Sequence, residues 1–305
     1  MKNNIVRSPF FYVGDKYKLM GQLRELFPKN ITTYIEPFAG GGSSFLNTSA
    51  KKYVVNDIDY YVIALHKCLS SYAGRQDEFL EKLYAIIDEY GLSCSYRNIT
   101  VPEELKKKYV KTYYSHYNKA AYMKMRADFN DEEDLVLLYL LLIYGFNHMI
   151  RFNSAGKFNL PVGNVDFNKN VYNAICHYLS FMEKSDITFA NKDFKDFLDG
   201  LEFDENSYIY LDPPYLISGS EYNKYWNEKE EQRLCAYLDG LNQRGIRFGI
   251  TNLINHKGKI NQIFLEWSKK YIVYNINSNY ISFNDNTIKA DSKEIFVTNY
   301  GRTVK

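Results

Sequence analysis

The chain has 305 residues, room at about 150 residues per domain for two lobes or for one large domain with an insertion. Apolar residues make up 46% and charged residues 24%, the mix of a folded globular protein and not of a disordered one. Thirty-eight basic against 36 acidic residues leave a net charge of +2, which excludes a molecule-wide basic field and confines any nucleic-acid surface to a local patch. The unusual quantity is aromatic: 29 Tyr, 20 Phe and 2 Trp form 17% of the chain, rings that serve first as large apolar bodies for a core. Cys68, Cys94, Cys176 and Cys235 include no C-x-x-C pair, so neither a zinc site nor a disulfide framework is readable and reduced thiols are expected. The opening MKNNIVRSPFFYVGDK has no apolar core of a secretory signal, and the longest apolar run, Leu135 to Phe146, is too short for a bilayer. A cytoplasmic protein is expected.

In chain order, residues 15–27 carry Leu19, Leu23, Leu26 and Phe27 at helical spacing, with Pro28 as a stop. Thr33–Ile35 reads as a short strand entering the glycine turn EPFAGGGSSF, with a helix expected after it. Tyr53–Val55 is a second strand ending in Asn56-Asp57-Ile58-Asp59, and Tyr61–Leu69 is helical. Strand, glycine turn, helix, strand, acidic turn, helix begins a doubly wound, Rossmann-like α/β sheet. The pattern then changes: 76–90, 103–127 and 133–145 read as helices, the second dense in lysine and tyrosine, the third apolar throughout. MIRFNSAGKFNLPVG follows, two short β-leaning runs about Ser154-Ala155-Gly156, a hairpin signal. Strand-like runs resume at 187–190, 208–211, 246–251, 271–276 and 294–298, with helices near 195–200, 228–243 and 259–269. The economical organisation is one α/β domain, 1–70 and 171–305, interrupted by a mostly helical insertion, 71–170, that ends in a β-hairpin.

Three motifs carry chemistry. In Glu36-Pro37-Phe38-Ala39-Gly40-Gly41-Gly42-Ser43-Ser44, three glycines after a strand admit a ligand close to the backbone, with a tight strand-to-helix turn as the alternative. No Gly-Lys-[Ser/Thr] follows and no G-x-G-x-x-G is present, which argues against triphosphate and dinucleotide sites. Asp57, at the end of the next strand, suits vicinal ribose hydroxyls or a helix cap, with Asp59 the better cap. The sharp signal is Tyr208-Ile-Tyr-Leu-Asp212-Pro213-Pro214-Tyr215. Two prolines fix the backbone after an acid, so the Asp212 carboxylate and the Pro213 carbonyl each accept one N–H of a planar amino group while Tyr215 stacks on its ring.

Together these residues resemble the DNA adenine-N6 methyltransferases of the Dam type, the D12 class, in which an F-x-G-G loop, a target-recognition insertion and DPPY occur in this order. The look of the T-even phage Dam methylases extends from YVGDK through GFNHMIRFN to YLDPPYLI and EWSKKY. The resemblance implies S-adenosyl-L-methionine as cofactor, S-adenosyl-L-homocysteine as product, no metal, and methylation of adenine in duplex DNA, usually within GATC. It implies that Tyr12 and Lys16 border the cofactor and that Pro37 to Ser44, centred on Phe38 and Gly40, cradle its methionine part. Asp57 would bind the ribose, and Asp193 with Phe194 would flank the adenine. Asp212 to Tyr215 would be the catalytic turn, with Asp212 also touching the cofactor, on an adenine flipped out of the helix. Arg151 falls at a base-reading arginine and Met149 at an apolar side chain inserted into the base stack, with Asn153 and Pro161 in the same hairpin.

The insertion's Lys106, Lys107, Lys108, Lys111, Lys119, Lys124 and Arg126 suit phosphate contact, or a solvated face. The resemblance also raises a cognate restriction endonuclease acting on the same site without a stable complex. Where the family commonly has Lys-Trp-x-Gly-Gly-Lys this chain has Phe11-Tyr12-Val13-Gly14-Asp15-Lys16, and the lost first lysine and the Asp15 in place of a glycine leave the recognition sequence open. RNA adenine, a glutamine amide, and a DNA binder without catalysis are the competing readings.

Overall fold

The computed structural model describes residues 5–218, 226–277 and 292–301. The chain divides into two compact units: Lys18–Ala39, Asn47–Ile58 and Asp186–Lys305 form a sheet unit, and Met1–Tyr17, Gly40–Leu46 and Asp59–Ser185 a helical one.

The sheet unit holds β1 (Thr33–Glu36), β2 (Lys52–Asn56), β3 (Asp186–Ala190), β4 (Tyr208–Leu211), β5 (Arg247–His256), β6 (Lys259–Ile260), β7 (Ile272–Ile276) and β8 (Lys293–Thr298). The strand order is β3-β2-β1-β4-β5-β8-β7, with β6 paired to the end of β5. β1 to β5 run parallel, and β8 enters antiparallel between β5 and β7. All four residues of β4 are buried, as both faces of a parallel sheet must be. Tyr208 and Tyr210 lie 5.1 and 5.0 Å from Phe27 on one face. On the other, Ile209 and Leu211 join the core made by α8 (Phe194–Asp199), α9 (Glu228–Gln243) and α10 (Gln262–Ser268). Part of the tyrosine content is therefore core filling.

From β1 the sheet grows outward through β2 and β3, and from β4 through β5. This reversal is a topological switch point, where open α/β sheets bind ligands outside the carboxyl ends of their strands.

The helical unit packs α2 (Tyr60–Ser70), α3 (Gln76–Tyr90) and α5 (Tyr113–Glu132) about α6 (Leu135–Tyr144), with α7 (Lys169–Lys184) on α2 and the short α4 (Glu103–Lys108) beside α5. Eight of the ten α6 residues are buried, as an all-round apolar helix requires. Its cap is Asp134, which accepts from the Val136 and Leu137 amides. α5 buries Asn118, Tyr122, Met125 and Phe129, a single stripe at helical spacing. α2 and α7 belong to this packing unit. No helix among the described residues is long and apolar enough to cross a membrane.

Four elements differ from the sequence reading. The first helix, α1, covers only Met20–Leu26, because the Asp15 carboxylate accepts from the Tyr17 amide and turns the chain before it. The helix expected after the glycine turn is a three-residue 3-10 turn, Phe45–Asn47. The Tyr53 hydroxyl, bonded to Thr48 O and the Ala50 amide, brings the chain straight back into β2. The helix read at 103–127 is two, because Asn164 caps the start of α5 from outside: its Oδ1 accepts from the Tyr114 and Ser115 amides and its Nδ2 donates to Lys111 O. The stretch 259–269 is β6 followed by α10, which Asn261 caps through the Phe264 amide.

Candidate active site

The sheet unit brings the ends of four strands together. Asn56, the last residue of β2, is fully buried. Its Nδ2 donates to Pro37 O at 3.0 Å and Lys192 O at 2.9 Å, and its Oδ1 accepts from the Lys192 amide at 2.9 Å. One side chain thus fixes the turns that follow β1 and β3. Beside it, Asn191 Nδ2 donates to the carbonyls of Asp57 and Ile58 at 2.8 and 2.9 Å. Asp57 stands half-buried after β2. Asp59 caps α2 through the Tyr61 and Val62 amides, as expected, and burial raises its pKa.

The turn after β1 delivers Phe38 to an aromatic cluster. Its ring lies 5.6 Å from Phe194 and 5.7 Å edge-on from Trp226. Phe194 opens α8, capped by the Asp193 carboxylate through the Lys195 amide. Asp193 also ion-pairs with Arg233, whose guanidinium covers the Phe194 ring at 4.6 Å. Trp226 is held by Glu231, which is 1% exposed and accepts from Trp226 Nε1 (2.6 Å), Asn252 Nδ2 (2.8 Å) and Asn261 Nδ2 (2.7 Å). Burial raises the Glu231 pKa, and the three donors oppose the shift. Trp226, Arg233 and Glu231 were not singled out from sequence. Their signal in the sequence is an aromatic just before the helix cap Asn227 and a glutamate four residues after it.

Asp212 follows β4 directly. The last pair of the β4–β5 ladder is Leu211↔Ile250, so Thr251 stands next to Asp212, and its hydroxyl lies 3.0 Å from Asp212 Oδ1. The Tyr210 hydroxyl lies 3.0 Å from the same Thr251 oxygen. Tyr215 donates to Glu294 Oε1 on β8 at 2.5 Å.

In the helical unit, the N-terminal segment and the glycine loop meet. Ser8 donates to Gly41 O, and Ser43 donates to Asp15 Oδ2 at 3.2 Å. Burial raises the Asp15 pKa, with Arg7 the largest opposing influence. The departure at Asp15 is thus a tie to the glycine loop. Lys16 is buried and donates to Gly14 O at 3.3 Å. A Cβ at Gly41 would come within 2.8 Å of Tyr12, and one at Gly42, where φ is +79°, within 2.4 Å of Phe45 and 2.9 Å of His66. Close packing of the loop on its own unit therefore requires these two glycines. His66, which the sequence reading passed over, lies under the loop with Nε2 2.9 Å from Gly40 O.

The hairpin of the same unit is small: a bridge Phe152↔Phe158 and a second, Gly145↔Val162, flank it. Asn153 closes its turn, its Oδ1 accepting from the Ala155 and Lys157 amides at 3.0 Å. Arg151 donates from Nε and Nη2 to Asn159 Oδ1 and O at 2.9 and 2.8 Å. α5 carries the hairpin: Arg126 donates to Leu160 O, and Asn130 exchanges two bonds with the Phe158 backbone. Lys119 and Pro161 are exposed, and Met149 is half-buried. Lys106 is paired with Glu103, which removes it from the set of open cations.

A switch-point sheet with DPPY after β4 and a glycine loop after β1 is the fold of the Rossmann-like methyltransferases. The family model described as D12 class N6 adenine-specific DNA methyltransferase matches residues 12–281, and the chain belongs to that family. It is 33% identical, over 97% of its length, to modification methylase StsI of Streptococcus sanguinis, and 32% identical over 99% to type II methyltransferase M.FokI of Planomicrobium okeanokoites. These alignments cover 43% and 44% of the two methylases, so the chain spans less than half their length. The DNA adenine methylase of Escherichia coli K12 is 28% identical over 90% of this chain and 88% of its own.

Proposed function

We propose that this chain transfers the methyl group of S-adenosyl-L-methionine to N6 of an adenine extruded from duplex DNA. The observation that carries the reading is the place of Asp212-Pro213-Pro214-Tyr215: directly after β4, beside the strand-order reversal. The cofactor, when bound, supplies an activated sulfonium methyl. The residues present suit it. Phe38 and Phe194 offer aromatic faces, and Asp57, after β2, offers a carboxylate for a ribose diol. Tyr12, Lys16 and the loop Gly40 to Ser44 supply the methionine end. Asp193 contributes through its place at the head of α8, since its carboxylate already caps that helix and pairs with Arg233.

The amino nitrogen of adenine is a poor nucleophile because its lone pair is delocalised into the ring. Asp212 and the Pro213 carbonyl each accept one of its N–H bonds, which localises that pair as the new bond forms. Tyr215 stacks on the extruded base, its hydroxyl anchored on Glu294. Alignment supplies much of the remaining acceleration.

Residues 71–170 serve as the target-recognition insertion, and 1–70 with 171–305 as the catalytic domain. A guanidinium has five N–H donors, and Asn159 engages Arg151 through Nε and Nη2. The edge formed by the two Nη groups is thereby presented for bidentate contact to guanine. Lys119 and Arg126 provide phosphate contact and Met149 an apolar contact to the stack, with Asn153 and Pro161 shaping the hairpin. GATC is the site the Dam resemblance favours. The similarity to two modification methylases supports a protective role beside a restriction endonuclease in the same degree.

The test is transfer of labelled methyl to unmethylated duplexes with and without GATC, and to single-stranded RNA of matching sequence. Label confined to the GATC duplex supports the full reading. Label in both duplexes keeps the enzyme and discards the site, and label in RNA alone overturns the polymer.

A further inference from the structure

We infer that Thr251 is a positioning residue for the reaction: its hydroxyl fixes the rotation of the Asp212 carboxylate, the group that accepts from the amino group to be methylated. The inference rests on the role proposed for Asp212 and extends it to a residue on a neighbouring strand.

A carboxylate at the end of a strand turns about its Cβ–Cγ bond through a broad, roughly two-fold well. The prolines that follow hold the backbone of Asp212 and leave this torsion untouched. Acceptance of one N–H in a fixed direction needs an oxygen held in place, and a 1 Å misplacement of a reacting group can cost about 100-fold in rate. Thr251 meets that need by register. β4 and β5 are parallel with Leu211 opposite Ile250, so one step further Thr251 stands opposite Asp212 with its Oγ1 3.0 Å from Oδ1.

Thr251 is itself fully buried, and β-branching leaves it few rotamers. Its hydroxyl has one proton and two lone pairs. The carbonyl of Leu211, at 3.5 Å, is a poorer acceptor than Asp212 Oδ1 at 3.0 Å. Donation to the carboxylate frees the Thr251 oxygen to accept from Tyr210, 3.0 Å away and also fully buried. The relay thus runs in one direction, from Tyr210 through Thr251 to Asp212, and ends on the group that faces the substrate.

The test compares Thr251→Ser with Thr251→Ala, two variants that lose the same methyl group and differ in the hydroxyl. Single-turnover methylation of a duplex is measured at saturating cofactor, together with affinity for S-adenosyl-L-homocysteine and melting temperature. Thr251→Val, nearly isosteric, provides a third variant with the packing kept. The inference expects Thr251→Ser within about threefold of the parent, and Thr251→Ala and Thr251→Val slower by roughly 10- to 100-fold. It expects cofactor affinity to be equal in all. Equal rates for Thr251→Ala and Thr251→Ser, or a loss confined to the KM for cofactor or DNA, would overturn it. Asp212→Ala separates the two layers. If that variant retains turnover, the role of Asp212 itself fails. If it is inactive while Thr251→Ala is not, only the inference about Thr251 fails.

Discussion

His66 places Nε2 2.9 Å from the carbonyl of Gly40 and Nδ1 2.9 Å from the hydroxyl of Tyr178. A carbonyl only accepts, so Nε2 carries the proton and Nδ1 accepts from Tyr178. A single neutral imidazole therefore ties the glycine loop to α7. Burial lowers the His66 pKa to about 4, against an ordinary value of 6.5, and the ring stays neutral in the folded protein.

The pH dependence follows from that shift. Between about pH 6.5 and 4 the unfolded chain binds a proton at this position that the folded chain refuses, so stability is full above pH 6.5 and declines as pH falls. The loss accumulated by pH 4 from this group is about 3 kcal/mol. Burial lowers His148 as well, so the contribution of His66 is read by difference. Urea unfolding from pH 7.5 to 4 will show a steeper decline for the parent than for His66→Gln. Parallel slopes would contradict it.

Gly42→Ala will destabilise the protein. The added methyl meets Phe45 at 2.4 Å and His66 at 2.9 Å where φ is +79°, and overpacking with backbone strain costs about 2–4 kcal/mol. Melting will report the loss, and homocysteine-cofactor affinity will fall with it because the loop must move. Gly14→Ala provides the contrast: φ there is also positive, yet nothing lies within 4 Å of the added methyl, so only the strain remains.

Asn56→Ala removes three hydrogen bonds at the ends of β1 and β3 and leaves the backbone groups of Pro37 and Lys192 without them. Leaving a buried polar group unsatisfied costs about 1–3 kcal/mol, so a drop of several kcal/mol is expected in urea. Asn56→Asp keeps one acceptor and loses both donors, and will recover only the Lys192 amide bond.

Arg151→Ala is expected to lower discrimination by about 1–3 kcal/mol at one base pair, with little change on DNA lacking the site. Asn159→Ala leaves the guanidinium in place and removes its side-chain acceptor, so a smaller loss at that same base pair is expected. Equal losses on both kinds of DNA would reassign Arg151 to phosphate contact.

The strand ends that carry the candidate site were legible in the sequence. The short apolar runs at 33–35, 53–55 and 208–211 read as strands and are the cores of β1, β2 and β4, which the glycine run, Asp57 and DPPY follow. The supports were not. Asn56 reaches Lys192 across 136 residues, Thr251 reaches Asp212 across 39, and His66 reaches Gly40 across 26. An asparagine, a threonine and a histidine carry no periodic signal, and only the order of the strands brings them to their partners. The expected helix after the glycines failed for a related reason: glycine-rich spacing looks the same whether a helix or a 3-10 turn follows, and Tyr53 decides between them from the next strand.

The most direct measurement is the chemical identity of the product. DNA treated with the protein and labelled S-adenosyl-L-methionine is digested to nucleosides and separated, with Asp212→Ala run in parallel. Label is expected in N6-methyldeoxyadenosine alone, and abolished in the variant while its melting temperature stays that of the parent. Label in a methylated cytosine, or undiminished label with Asp212→Ala, would contradict it.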